Sequence, residues 1–431
     1  MIDIEFIRTN IDIVKQAVTD KAMDVDVDRL LDLDEERRSL ITKRDQLLAE
    51  RNGLSIDQAK ERGPAIKKEL ATVEPKLANV QRKYDDMMLL VPQIPAADAP
   101  RGGEADKVEI KRVGEPTIFD FEPFDHIQLG HRLDLIDVER GTVVSGYRGY
   151  FLKNEAALMH HGLMQLALQI MKKRGFTIVV PPSIVRGFTL IGSGHFPFGE
   201  DEVYQVGNPG RLVDGSSEKP EDPERDRREP FYLAGTAEVP LLGYFADQIL
   251  NESDLPTKVC GISQCYRSEV GSYGKDTKGL YRLHEFMKVE QVVLTTADDT
   301  AQRQAFTELL EPVEELLQAL ELPYRFVEIP TGDMGAGKVK MYDVETWMPS
   351  RNEYSETHSA SALGDWQARR LNIKYKTTDG KKTIPFTLNN TVIASPRILI
   401  ALLENHQQAD GSIHIPAVLQ PYVGSSEIKP Q

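Results

Sequence analysis

Along the first ninety residues the apolar positions recur at steps of three and four. Leu30, Leu33, Arg37, Leu40, Arg44 and Leu47 make one such series; Ile66, Leu70, Val73, Leu77, Val80, Tyr84 and Met87 make a second. That spacing predicts two heptad helices of similar length, separated by breaks at Asn52-Gly53 and Gly63-Pro64. The expected form is an antiparallel coiled-coil hairpin roughly 35 to 40 Å long, with Pro64 in the first turn of the return helix and Pro75 kinking it. Residues 1–25 read as a short helical lead-in. Val91 to Gly103, VPQIPAADAPRGG, is rich in proline and glycine and marks a domain boundary, giving an arm over residues 1–100 and a body over 101–431.

In the body the pattern changes. Ala156 to Arg174 carries Leu158, Leu163, Leu166 and Ile170 at helical spacing, stops at Gly175 and runs into a strand, GFTIVVPPSIV. Asn208 to Pro230 is polar and dense in proline, glycine and charge, and reads as a mobile surface loop. Thr236 and Glu238, within LAGTAEVPL, share one face of a predicted short strand. From Cys265 to Gln291 two stretches of alternation flank a polar loop punctured by Gly271, Gly274 and Gly279, which predicts a long hairpin. In its second arm Arg282, His284, Phe286, Lys288 and Glu290 share a face opposite Leu283, Met287 and Val289. Phe386 to Gln407 joins a strand to an amphipathic helix with Arg397 at the junction.

An arginine, an aromatic ring and a carboxylate, each four residues from the next on one strand face, suit a phosphate, a flat base and an ammonium or hydroxyl. Arg267 and Glu269 add to that face from the first arm. Alternation alone equally fits the solvent side of an ordinary hairpin. With 40% hydrophobic and 28% charged residues in 431, the chain is read as a soluble protein of two or three domains. No apolar run reaches the roughly 20 residues of a membrane span, and the N-terminus lacks a secretory pattern, so the expected location is cytoplasmic. Two cysteines, Cys260 and Cys265, make neither a disulfide framework nor a four-ligand zinc site, and no zinc is expected.

Charge redistributes the picture. Arg37 to Lys83 is net +6, which leaves −21 for the rest of a chain whose total is −15. A basic segment on an acidic body points to a locally bound polyanion. Lys43, Arg44, Arg51, Lys60, Arg62, Lys67, Lys68 and Lys76 could meet phosphates as a ladder, although a solvated coiled-coil face carries the same residue types. Gly332 to Lys338, GDMGAGK, satisfies a phosphate-loop spacing, but Val339 stands where Ser or Thr is required to reach magnesium, so it is read as a turn.

YRSE at 266–269 and YRLHEFMKVEQ at 281–291 resemble the second signature motif of class II aminoacyl-tRNA synthetases, with the seryl family nearest and Glu285 where that family usually has glutamine. The helix and strand before Pro181-Pro182 resemble the first motif, and the junction at Arg397 the third. H-x-x-LG at His126 to Gly130, T-A-E at 236–238, the T-G-D-M-G turn, YDVETWMP and ETHSASALGDWQARR (356–370, with Ala360 for a cysteine) are also similar to this family. His126 is read as packing. The motifs occur in the family's order and span nearly the whole chain.

The resemblance implies an α+β fold, an antiparallel-sheet catalytic domain with an N-terminal coiled-coil arm. It implies activation of L-serine with ATP and magnesium, then transfer to tRNA(Ser), and in some members to the selenocysteine tRNA. Carried over, Arg267 and Arg397 are catalytic. Thr236, Ala237, Glu238, Arg267, Glu290, Asn389 and Thr391 bind serine. Arg267, Ser268, Glu269, Arg282, Leu283, Phe286, Glu356, Thr357, His358, Ser359 and Arg397 bind ATP, with Glu356 and Ser359 as magnesium ligands. No general base is assigned to His358, because a substrate carboxylate is already ionised. The arm implies a grip on the long variable arm of tRNA, and the first motif implies a homodimer. Two alternatives are a ligase that loads an amino acid onto a carrier protein, which should lack the basic arm, and a non-catalytic RNA-binding relative, which should lack some of Arg267, Glu290, Glu356 and Arg397.

Overall fold

The computed structural model describes residues 1–207, 230–270 and 279–430. The expected loop at 208–230, apart from Pro230, and the hairpin glycines Gly271 and Gly274 lie outside them. The chain divides into two compact units, Met1–Ile94 and Pro95–Gln431. The division falls before residue 100 because the proline-rich stretch is bonded to the body: Ala96 N–H donates to Val339 O (2.8 Å) and Thr331 N–H to Pro100 O (2.9 Å).

In the first unit two short helices, Ile4–Thr9 and Ile11–Asp20, precede the long pair α1 (Val27–Gly53) and α2 (Ile56–Leu90). The turn between the long helices is only Leu54-Ser55, shorter than the sequence suggested. Ser55 and Gln58 cap each other reciprocally and start α2 eight residues ahead of Pro64. Pro64 and Pro75 therefore both lie inside a continuous helix, on its exposed side, where water can satisfy the carbonyls their rings leave unpaired. Ile66, Leu70, Val73, Leu77, Val80 and Tyr84 are buried as the heptads require, but the series ends on Met88 rather than Met87. Arg37, at a heptad position, lays its guanidinium 4.3 Å from the centre of the Tyr84 ring.

The second unit is built on eight strands: β1 (Val108–Val113), β2 (Thr177–Val179), β3 (Thr257–Tyr266), β4 (Glu285–Thr295), β5 (Tyr324–Glu328), β6 (Lys340–Met348), β7 (Glu353–Gly364) and β8 (Phe386–Ala394). Their order across the sheet is β1-β5-β6-β7-β8-β4-β3-β2, antiparallel except for β2 on β3 at one edge. Helices α3 (Asn154–Lys173), α4 (Glu238–Gly243), α5 (Asp299–Ala319) and α6 (Ser395–Asn405) complete the layers used below. Val289 and Val293 of β4 join Leu163 of α3, Leu309 of α5 and Leu399 of α6 in one core. Val292 and Leu294, of opposite parity on the same strand, face the other way, onto Leu241 and Leu242 of α4. The amides of Gln291 and Asn390, buried in adjacent strands, both donate to Leu309 O and tie the sheet to α5. One face of the central strands is thus covered by α3, α5 and α6, and the other only partly by α4. No helix among the described residues is long and apolar enough to cross a membrane.

Candidate active site

The uncovered part of the second face holds two cavities along β4, β7 and β8. Phe286, Lys288 and Glu290 reach them from β4 by the alternation expected of that strand. The hairpin itself is shorter than anticipated: pairing ends at Tyr266 opposite Glu285, so Arg267 to Glu269 and Arg282 to His284 belong to the connecting segment. Leu283 borders the first cavity beside Arg282 while still packing, as expected, into the core that Val289 joins. Glu269 takes a left-handed φ of 55°, and its carboxylate meets Arg282 at 3.3 Å. His284 turns out of the alternation, its Nδ1 2.9 Å from Tyr204 Oη and 3.0 Å from Arg267 O.

Two bulges aim the remaining groups. Opposite Val344 and Glu345 the β7 partners are His358 and Glu356, so Thr357 is an extra residue. In a regular strand Glu356 and Ser359, three apart, would point to opposite faces; the bulge brings both into one cavity. A second register shift between Thr391 and Ile393 inserts Val392 into β8. As a result Thr391 and Ala394 both line the first cavity, and the chain enters α6 with Arg397 in its first turn.

The first cavity is lined by Phe286, Arg282, Arg397, Glu356 and the segment Leu280–Leu283. Arg397 lies 4.3 Å from the Tyr281 ring centre, donates through Nη1 to Glu356 O (2.8 Å) and stands 3.3 Å from the Glu356 carboxylate. The second cavity, of about 270 Å³, holds Thr236, Glu238, Glu290, Asn389, Ser359 and Ser361. Arg267, Lys288, Glu356 and Thr391 line both. Arg267 stands at this junction with its guanidinium 5.3 Å from the Phe286 ring centre. A planar base, a polyphosphate and a small zwitterion could therefore be held in contact.

Thr236 and Glu238 do not lie on a strand. Strand pairing ends at Leu233, and Glu238 is the first residue of α4, with Pro240 in that helix's first turn, where its missing N–H costs nothing. The Glu238 N–H meets Thr236 Oγ1 at 3.3 Å. The Glu238 carboxylate accepts from Gln367 (2.7 Å) and Asn389 (2.8 Å), and burial pushes its pKa up. Burial also raises Glu290, which is 2% exposed; Lys288 pairs with it and works against that rise, and Thr391 Oγ1 donates to it at 3.3 Å. Glu356 goes the other way: burial would raise it, but Arg397 and Arg267 outweigh burial and hold it below the carboxylate range. Burial drops His358 to about 3, a neutral imidazole beside Thr357 Oγ1.

Some expected residues stand apart from the cavities. Ser268 is spent on the 200–204 segment, its hydroxyl donating to Asp201 O and its N–H to Glu202 O (3.0 Å). Ala237 is fully buried in the core beneath α4. Thr357 does border the first cavity, but its hydroxyl turns inward, 2.7 Å from Thr346 Oγ1 and donating to Val344 O. Other lining residues were given no site role from the sequence: Lys288, His195, Trp366 and the turn Gly335–Lys338. The glycine density of GDMGAGK marked the turn without assigning it a place. Gly194 and Gly337 both sit against the Cε3–Cζ3 edge of the Trp366 ring, where an added Cβ would come within 2.3 and 2.5 Å of it. Asp343, paired with Ser359 across β6 and β7, is buried with Oδ1 lacking a hydrogen-bond partner. Among the described residues no three His, Cys, Asp or Glu side chains cluster as a metal site.

On the arm, four of the eight basic residues are engaged by carboxylates: Arg62 with Glu50 and Glu69, Lys76 with Glu36, Arg44 with Asp45 and Lys60 with Asp57. Arg62 and Lys76 cross from α2 to α1. Lys43, Arg51, Lys67 and Lys68 are exposed and make no ion pair with a described residue.

Residues 220–406 match the family described as the class II tRNA synthetase core domain (G, H, P, S and T), and residues 1–95 match the seryl-tRNA synthetase N-terminal domain. The serine–tRNA ligase of Deinococcus radiodurans is 42% identical over 99% of each chain. The chain belongs to the seryl-tRNA synthetase family. The serine–tRNA ligase of Treponema denticola, another relative, is 40% identical, over 99% of this chain and 100% of its own. The crystal structure of seryl-tRNA synthetase from Pyrococcus horikoshii complexed with ATP superposes with a TM-score of 0.87 at 35% identity, covering 100% of both chains. Family membership accounts for the antiparallel sheet and the helical arm together. Neither the carrier-protein ligase nor the non-catalytic relative is supported.

Proposed function

We propose that the chain is an ATP-dependent serine–tRNA ligase whose first cavity takes ATP and whose second takes L-serine. The observation that carries this reading is the sharing of Arg267, Lys288, Glu356 and Thr391 by the two cavities. A carboxylate held in one thereby lies against a phosphate held in the other.

Phe286 stacks the adenine from one side, and Arg282 and Arg397 take the γ-phosphate. Arg267 bridges the serine carboxylate and the α-phosphate. The serine carboxylate oxygen attacks the α-phosphorus, the bond to the bridging oxygen breaks, and pyrophosphate leaves. The chain supplies positioning and charge, with no protein nucleophile. In the second step a terminal ribose hydroxyl of the tRNA attacks the adenylate carbonyl and AMP departs. Glu238, Glu290, Thr236, Asn389 and Thr391 pair the ammonium and the small hydroxyl of serine. A site built on such pairs discriminates strongly against alanine, whose absence of a hydroxyl leaves polar groups unpaired.

The residues fit a magnesium ion. Glu356, kept ionised by Arg397 and Arg267, and Ser359 offer two oxygens to one cavity from either side of the bulge, and Asp343, opposite Ser359 across the strands, has an unpartnered Oδ1. When bound, the ion supplies neutralisation of phosphate charge. Lys43, Arg51, Lys67 and Lys68, with the other arm cations, contact the tRNA, most simply along its variable arm. Val180, at the end of the first-motif segment, and Val143 and Val144 ahead of it in the chain are exposed apolar residues and support a homodimer. A cytoplasmic location accords with this role.

Amino-acid-dependent ATP–pyrophosphate exchange without tRNA tests the reading. Exchange with serine, and not with threonine, alanine, glycine or cysteine, is expected. Exchange driven by another amino acid overturns the specificity, and none with any amino acid overturns the activity.

A further inference from the structure

Outside the cavities, one buried histidine–carboxylate pair reaches into the wall of the first cavity. Glu404, on α6, is fully buried and accepts four hydrogen bonds: from His126 Nδ1 (2.7 Å), His126 N–H (3.0 Å), Ser350 Oγ (2.8 Å) and Ser350 N–H (3.0 Å). His126 is itself only 6% exposed. On the other side of its ring, Leu280 N–H donates to Nε2 at 3.2 Å. A ring nitrogen that accepts carries no proton, so this imidazole is neutral, with its single hydrogen on Nδ1 facing Glu404.

The contact is made at close range. Gly279 has φ of 74°, and a Cβ there would lie 1.9 Å from His126 Nε2. The glycine is therefore demanded twice, by its backbone angle and by the imidazole. Leu280 and Tyr281, which follow it, line the first cavity. Tyr281 O accepts from Arg397 Nε (3.2 Å), and Tyr281 Oη donates to Glu356 O (3.2 Å). A continuous series of contacts thus runs from Ser350 and Glu404 through His126 to Leu280, Tyr281, Arg397 and Glu356.

We infer that His126 is a positioning residue for ATP: through Nε2 it anchors the Leu280 amide, fixing the cavity wall on which Tyr281 and Arg397 are set. This rests on the first cavity being the ATP site. Conventional packing would make the ring's shape matter; the anchor makes its acceptor matter, and two substitutions separate these. His126→Asn keeps a donor near the Nδ1 position for Glu404 and removes the acceptor. His126→Gln puts an oxygen near the Nε2 position and removes the donor to Glu404.

Serine-dependent ATP–pyrophosphate exchange is measured for both, varying ATP and serine separately, with thermal unfolding alongside. His126→Asn is expected to raise KM for ATP about tenfold, the effect of leaving one buried N–H unpaired, with KM for serine and kcat changed no more than about threefold. His126→Gln is expected to return KM for ATP to within about threefold of wild type while unfolding at lower temperature. Wild-type KM for ATP in His126→Asn, or equal impairment in both variants, overturns the inference. Hydrogen exchange on the wild-type chain gives a reading that does not depend on a variant folding: the Leu280 amide should be protected, and free exchange there overturns the anchor. Failure of the site reading differs in kind, because it appears as absent serine-dependent exchange in the wild type.

Discussion

Replacing Glu290 by glutamine preserves volume and one acceptor oxygen while removing a charge from a residue only 2% exposed. Two partners lose by it. Lys288, itself 5% exposed, pairs with this carboxylate, and Thr391 donates to it. An uncompensated buried cation costs about 3–5 kcal/mol where nothing else accepts it; here Glu238 lies near enough to be influenced by Lys288 and can take up part of the charge. A net destabilisation of about 2 kcal/mol follows, visible as a fall of several degrees in Tm. Substrate loses a hydrogen bond to a charged group, about 1.5–3 kcal/mol, which is roughly 10- to 150-fold in KM for serine. Phe286, Arg282 and Arg397 are untouched, so KM for ATP should stay within about threefold. The assay is ATP–pyrophosphate exchange with serine and ATP titrated independently, with thermal unfolding of the same preparation. A serine KM within twofold of wild type together with an unchanged Tm would refute the assignment of Glu290 to the pocket and its pairing with Lys288 at once.

Three further outcomes are expected. Gly337→Ala drives a Cβ to 2.5 Å from the Trp366 ring and should cost about 1–3 kcal/mol of stability, with a higher KM for serine in the same exchange assay. Asp34 is buried among Arg8, Arg37 and Arg38; burial alone would raise its pKa, but Arg37 and Arg8 hold it below the ordinary value. Its contribution is therefore present above the unfolded carboxyl value of about 4 and lost as pH falls through the lower folded value. Asp34→Asn should destabilise the arm by about 2–3 kcal/mol near neutral pH and flatten the acid end of its unfolding profile, read by circular dichroism. Changing Lys67 and Lys68 together to Ala should weaken tRNA binding and reduce its salt slope by about 1.5, leaving pyrophosphate exchange intact.

Where the pattern of side chains follows a simple period, the sequence was a good guide. The heptads from Ile66 to Tyr84 and the alternation Phe286, Lys288, Glu290 are both in the structure as the spacing requires. Local punctuation misled where a stronger signal lay nearby: Gly63-Pro64 reads as a break, yet the Ser55–Gln58 cap starts the helix earlier and Ile66 and Leu70 hold it in register. T-A-E looks like strand because Thr236 and Glu238 alternate, whereas Pro240 three residues into α4 is the better indicator of a helix start. The bulge at Thr357 has no sequence signature. Spacing alone puts Glu356 and Ser359 on opposite faces, and only the family resemblance paired them. Lys288 was visible on the working face but went unassigned, since its pairing with Glu290 depends on how deeply both are buried.

The two cavities divide their walls into common and private property, and that division constrains how such a protein can diverge. Arg267, Lys288, Glu356 and Thr391 face both, so, on the proposed assignment of nucleotide to one and amino acid to the other, a substitution at any of them would alter both together and be difficult to compensate. Descendants with a new amino-acid preference should therefore retain these four and change at His195, Trp366, Asn389 or the Gly335–Lys338 turn, which face one cavity alone. Inheritance of the chemistry and drift in the choice of substrate would then be recorded in separate sets of residues.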